Sequence, residues 1–180
     1  AKARAISCTS NVKQIMLGWT MYLDDNNDTF VHQYNNLSGT SYYNGTSVVT
    51  TYGCYQPLVH PYVGSLDVFR CPVSARTSEA DQFTNDYAMS SWYHGKTRSS
   101  IFGGGAYSPS EMGLVLDSNN QWIDSNRAAR VSARHLDRAN IGYVDGHSDS
   151  RLAADINTDP TFLGYTDVGN WQTYGAVALE

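Results

Sequence analysis

The residues best equipped for chemistry lie near the C-terminal end, in the run Arg134-His135-Leu136-Asp137-Arg138-Ala139-Asn140-Ile141-Gly142-Tyr143-Val144-Asp145-Gly146-His147-Ser148-Asp149. Imidazole and carboxylate ligands with open coordination positions suit zinc- or iron-assisted hydrolysis, so His135, Asp145 and His147 define a candidate hydrolytic set. The local pattern argues against it. Asp145-Gly146 between alternating residues predicts a hairpin with a type I′ turn, whose two central residues need positive φ. A two-residue turn sets Val144 opposite His147 and puts His147 and Asp149 on one face, beside Asn140 and Arg151, which are not usual ligands. His135 is expected to reach back to the Asp145-Gly146 turn, so His135, Asp145 and Gly146 are read as a structural motif.

Other chemistry finds less support. Asp24-Asp25-Asn26-Asn27-Asp28 clusters oxygens like the start of an EF-hand loop but lacks Gly at the sixth position and Glu at the twelfth, and reads as a helix-ending loop. Gly103-Gly104-Gly105 lacks the Lys-Ser/Thr ending of a phosphate loop. There is no Gly-x-Ser-x-Gly elbow. Asp117 and Asp124 are explained by a strand end and a loop. No catalytic set is expected. The three cysteines, Cys8, Cys54 and Cys71, contain no Cys-x-x-Cys pair, so a structural zinc site is not expected. In an oxidising compartment one disulfide is expected; Cys8 and Cys71 are candidates, although sequence does not choose among the three pairings.

Several elements must position these groups. Ala5, Cys8, Val12, Ile15, Trp19 and Tyr22 recur at three- and four-residue steps, predicting an amphipathic helix over residues 1–23 that stops at the Asp24–Asp28 run. Residues 29–56 and 73–110 read as long polar loops, with a strand over 47–52. Leu58–Val63, with Pro57 and Pro61, is expected to form a short helical turn or loop, and Asp67–Pro72 an extended piece. Met112–Asp117 reads as a buried strand and Trp122-Ile123 as another. Ala139–Val144 and His147–Leu152 are the arms of the hairpin. The tail over 153–178, with Phe162, Leu163, Tyr165, Trp171 and Tyr174, is expected to pack back on the domain. The fold class is α+β: an N-terminal helix on a small antiparallel sheet with long loops.

With 180 residues the chain fits one domain, over 1–178. Only 16% of it is charged, and Tyr, Asn, Ser, Thr and Gly are abundant, a composition common outside the cell. The net charge of −5 gives no attraction for nucleic acid. No run approaches the roughly 20 apolar residues of a membrane helix. Ala1-Lys2-Ala3 is already helical in composition, and Leu179-Glu180 resembles a cloning scar, so the sequence reads as a trimmed soluble portion of a longer protein.

The order of landmarks resembles prepilin-type proteins, the type IV pilin-like and type II secretion pseudopilin-like family with an H-X9-DG region. The landmarks are Ala3–Ile15, Tyr22–Asn26, Leu58–Tyr62 with Pro61, Phe69-Arg70-Cys71-Pro72, Pro109-Ser110 with the strand to Asp117, and His135 to Asp145-Gly146. They span residues 1 to about 152 and leave 153–178 outside. The resemblance implies a pilin-like fold and a structural subunit made as a precursor, processed by a prepilin peptidase and methylated. It also implies an inner-membrane anchor upstream, a periplasmic or surface location, and assembly with copies of itself and other pilin-like subunits through the secretion or pilus machinery. Because major pseudopilins bind calcium in a C-terminal loop, it further suggests calcium at Asp145 and Asp149. The alternative is an extracellular module that recognises glycan or protein through aromatic loop residues such as Tyr42, Tyr43, Tyr52, Trp92 and Tyr93.

Overall fold

The computed structural model describes residues 2–31, 41–43, 48–50, 55–74, 86–118, 122–123 and 131–165. Cys54, Tyr52, Asp124 and the chain beyond Tyr165, with Trp171, Tyr174 and the terminal Leu-Glu, lie outside the described residues, as do large parts of both expected loops.

The first element is the helix α1, Lys2–Asp25, roughly 36 Å long at 1.5 Å per residue. Its inner face is Cys8, Val12, Ile15, Met16, Trp19 and Leu23, each no more than 2% exposed. Ala5 and Tyr22, expected in this stripe, are half-buried at its margins. Burying side chains of this size stabilises the fold by about 1.5–3 kcal/mol each. The helix ends where Asn27 and Asp28 turn to positive φ, and Arg98 then joins Asp24, at 2.7 Å, to Asp28. The acidic run is thus a helix terminus clamped by a guanidinium.

A small hairpin pairs β1 (Ser41–Tyr43) with β2 (Val48–Thr50). Tyr42 and Tyr43 lie in β1; their side chains are outside the described residues. The helix α2, Gln56–Val63, packs along α1, and a 3-10 turn over Leu66–Phe69 follows. This turn replaces the extended piece expected at Asp67–Pro72, because Val68 and Phe69 are both drawn into the core.

The main sheet is built from β3 (Tyr87–Ser90), β4 (Gly113–Asp117), β5 (Trp122–Ile123), β6 (Arg138–Tyr143) and β7 (Ser148–Leu152), in the order β5-β3-β4-β6-β7. Four strands are antiparallel, and the short β5 lies parallel to β3. The class is therefore α+β. The strand β3 falls inside a stretch expected to be loop, and the short helix α3 (Arg98–Phe102) follows it, capped by Thr97.

The sheet is covered on both faces. One core cluster unites α1 with Tyr55, Phe69, Tyr87, Met89, Leu114 and Val115. The other unites Leu116, Ile123, Ile141 and Tyr143 with Ile156, Phe162, Leu163 and Tyr165, from the helix α4 (Ala153–Thr158) and the turn after it. Two hydrogen bonds tie this segment down: Ser90 Oγ donates to the Leu163 carbonyl (2.9 Å), and the Tyr165 hydroxyl to the Ile123 carbonyl (2.7 Å). The early part of the tail thus folds back as expected.

The helix packs tightly on the sheet at Gly142. A Cβ there would lie 2.4 Å from Met16 Cγ and 3.0 Å from Val12 Cγ1, so any larger residue would force these side chains to shift.

Candidate functional site

Three distant segments meet beneath α1. Cys8 comes from α1, Cys71 follows the 3-10 turn, and His135 precedes β6. The two Sγ atoms and a ring nitrogen of His135 all lie within 4.8 Å of one another, with Cys71 Sγ 3.5 Å from His135 Nε2. All three residues are buried: Cys8 is 0%, Cys71 4% and His135 7% exposed.

Each is held by its surroundings. The Cys71 N–H donates to Asp86 Oδ2 (2.8 Å), and Ser74 Oγ donates to Asp86 Oδ1 (2.7 Å), so one buried carboxylate shapes the turn. Arg134 pairs with that carboxylate, Nη1 to Oδ1 3.1 Å, and donates through Nη2 to the Ser118 carbonyl. His135 is aimed by a tight turn in which Leu136 (φ 56°) and Asp137 (φ 62°) are both left-handed and His135 and Arg138 exchange backbone hydrogen bonds. That is the type I′ pattern expected at Asp145-Gly146.

Asp117 closes the site from the end of β4. Its Oδ2 lies 3.8 Å from His135 Nε2 and accepts two hydrogen bonds from Asn140, from its backbone N–H (2.6 Å) and from Nδ2 (2.9 Å). Its Oδ1 has no hydrogen-bond partner among the described residues. Burial pushes the Asp117 carboxyl up to about 7, against the Asn140 hydrogen bond and the charges of Arg134 and His135. The hydrogen bond with Cys71 raises the His135 imidazole, and burial works against it. The Cys71 thiol is pulled down by its hydrogen bond with Cys8 and then by His135, while that same Cys8–Cys71 bond and burial raise Cys8. Cys71 is thus the more acidic of the two thiols, on the side that the imidazole and the Arg134 charge favour.

The second half of the expected motif lies at the far end of β6. The turn there is type I, closed by Gly146 N–H to the Tyr143 carbonyl (2.8 Å), and only Gly146 (φ 94°) is left-handed. Asp145 stays on the ordinary side of φ because its Oδ1 accepts from the His147 backbone N–H (3.1 Å) and meets His147 Nδ1 (2.6 Å). The extra loop residue sets Tyr143, rather than Val144, against His147; their rings stack at 4.2 Å, 4° from parallel. His135 does not reach this turn. It is separated from it by the six residues of β6, roughly 20 Å of strand. His135, Asp145 and His147 therefore do not form one site.

Asp149 Oδ1 accepts the N–H of its neighbour Ser150 (2.7 Å) on the edge strand β7. Among the described residues, the grouping of three or more His, Cys, Asp or Glu ligand atoms is the Cys8–Cys71–His135 cluster, which contains neither Asp145 nor Asp149. Of the aromatic surface proposed from sequence, Tyr93 is corrected: it is 0% exposed and packs 4.9 Å from Phe30, because the 3-10 turn at 91–93 points it inward. Trp92 is half-buried, with Lys96 Nζ 3.4 Å over its ring.

The sequence pattern did not single out the cysteine–histidine cluster. Cys8 and Cys71 were one of three possible pairings in the sequence, and the Arg134-His135 pair gave no sign that it joins them. Compared with models of known families, with curated proteins and with solved structures, the chain matches none.

Proposed function

We propose that this chain is a structural subunit that assembles through α1 into a type IV pilus-like fibre or type II secretion pseudopilus. The observation that carries the reading is the second face of α1. Opposite its buried stripe, Ile6 (70%), Leu17 (62%) and Met21 (45%) are exposed large apolar side chains. Leu17 and Met21 are one turn apart, and Ile6 lies eleven residues before Leu17, close to three turns, so all three share one side of the helix. A helix that serves only its own domain needs one apolar face. One that also packs against helices of neighbouring subunits needs two. The order of landmarks from Ala3 to Gly146 supports the same reading.

In this reading the partners are α1 helices of further copies and of other pilin-like subunits, brought together by an assembly machinery outside the cytoplasm. Among the described residues no helix is long and apolar enough to cross a membrane. The anchor in this reading is a stretch of about 20 apolar residues encoded before Ala1.

The test uses the full native reading frame in its host. Leu17→Glu with Met21→Lys is expected to remove the subunit from sheared filaments while the melting temperature of the soluble portion stays unchanged, since both side chains face solvent. Incorporation at the wild-type level would overturn the reading.

A further inference from the structure

We propose that Cys8 and Cys71 are a redox couple that closes to a disulfide, bolting α1 to the Cys71-Pro72 turn beside His135. The inference is independent of whether α1 assembles.

Geometry carries it. The two sulfurs reach the same small volume from separate elements, each with its backbone fixed: Cys8 within a continuous helix, Cys71 by its hydrogen bond to Asp86. Disulfide formation requires side chains that already face each other, since the bond tolerates little strain. Both sulfurs are buried, and the product is uncharged and apolar, as such a core position prefers.

A metal ion fits the same atoms less well. Closed structural zinc sites take four protein ligands, and three converge here. Asp117 is outside the set within 4.8 Å, and its Oδ2 already accepts two hydrogen bonds from Asn140. The Arg134 guanidinium adds positive charge next to Cys71, which disfavours a dication and favours a thiolate.

The step balances with a small-molecule disulfide as oxidant. The Cys71 thiolate attacks one sulfur of the oxidant, breaking its S–S bond, releasing one thiolate and leaving a mixed disulfide. Cys8 then loses its proton and attacks Cys71 Sγ, expelling the second thiolate. Two protein thiols give up two electrons and two protons, and the oxidant leaves as two thiols. Because both sulfurs are buried, the exchange takes place before α1 docks or while it is transiently lifted.

The test compares the wild-type chain with Cys54→Ser, each unfolded and refolded with oxidised glutathione or with dithiothreitol. Oxidised Cys54→Ser protein is expected to be lighter by two hydrogens in intact mass. It should be inert to maleimide after denaturation, and its digest should yield one linked pair of peptides containing Cys8 and Cys71. The wild type should give that same link, with Cys54 alkylated. Reduction should lower the unfolding midpoint of both chains. The proposal is overturned if both thiols of Cys54→Ser stay reactive after oxidative refolding, or if the wild-type link involves Cys54. Retention of one zinc ion per chain with both thiols unoxidised would overturn it in favour of a metal site.

Discussion

Met16 sits over the sheet where Gly142 leaves it room: a Cβ on Gly142 would fall 2.4 Å from Met16 Cγ and 2.6 Å from its sulfur. Gly142 is also paired with Ser148 on β7 and Val115 on β4, so neither partner strand can retreat without breaking the ladder. Gly142→Ala is expected to destabilise the fold by about 1–3 kcal/mol, the usual range for overpacking. A chemical denaturation midpoint equal to the wild type would show that the helix–sheet gap is wider than described.

Leu136 lies at the other extreme. It holds φ 56° with its side chain 68% exposed, so it bears a left-handed backbone and gains little packing in return. A non-glycine residue in that region costs on the order of 1 kcal/mol, and Asn tolerates it best. Leu136→Asn is expected to raise the melting temperature by about 2–4 °C for a chain of this size. A fall in melting temperature would mean that Leu136 makes contacts its exposure does not reveal.

Asp117 sets a pH dependence. It is fully buried and faces Asn140, Arg134, His135 and Cys71; its carboxyl is pushed up to about 7 in the folded chain, against about 3.9 for a free carboxyl. Between these values the folded state holds a proton that the unfolded state has released. The stabilisation is therefore complete below about pH 4 and is lost as pH rises through about 7. His135 is shifted in the same direction, so its contribution is also present at low pH and lost on raising it. The depressed Cys71 thiol acts in the opposite sense, so the difference between chains is the readout: urea midpoints of the reduced wild type should fall relative to those of Asp117→Asn from pH 4 to pH 8. Parallel profiles would remove Asp117 from this role.

His135 should tune the redox couple. By pairing with Cys71 it stabilises the reduced, thiolate form, which makes the disulfide easier to reduce. His135→Gln withdraws that charge. In glutathione buffers the variant should stay oxidised at a higher ratio of reduced to oxidised glutathione than the wild type. A shift the opposite way, or none, would restrict His135 to packing.

Much of the frame was legible from sequence because its signals are local. The stripe from Cys8 to Trp19 carries a helical period, Leu114–Leu116 forms a short apolar run, and Asp145-Gly146 marks a hairpin. The strand β3 was hidden because it is central: all four residues of Tyr87–Ser90 are buried, so the two-residue alternation that marks a half-exposed strand is absent. The turn chemistry misled in a different way. Asp145-Gly146 carries the I′ signature yet uses one extra residue, while Leu136-Asp137, without that signature, adopts the I′ conformation because flanking β6 and α4 hold it, the Ala153 N–H donating to the Asp137 carbonyl (2.9 Å). The Cys8–Cys71 pair stood among three possible pairings, but the sequence could not choose it or place His135 beside it, since no spacing rule links residues brought together only by folding; Cys71 and His135 alone are 64 positions apart.

The seating of α1 has a mechanical corollary. Val12 and Met16 interlock with the sheet at Gly142, and Thr9 Oγ1 adds a 2.9 Å hydrogen bond to Asn140 on the same strand. A pull along the helix axis loads these contacts in shear, so they resist together. A pull across it peels them one at a time. The molecule is thus stiff toward tension transmitted lengthwise and yielding toward sideways force, whatever applies the load.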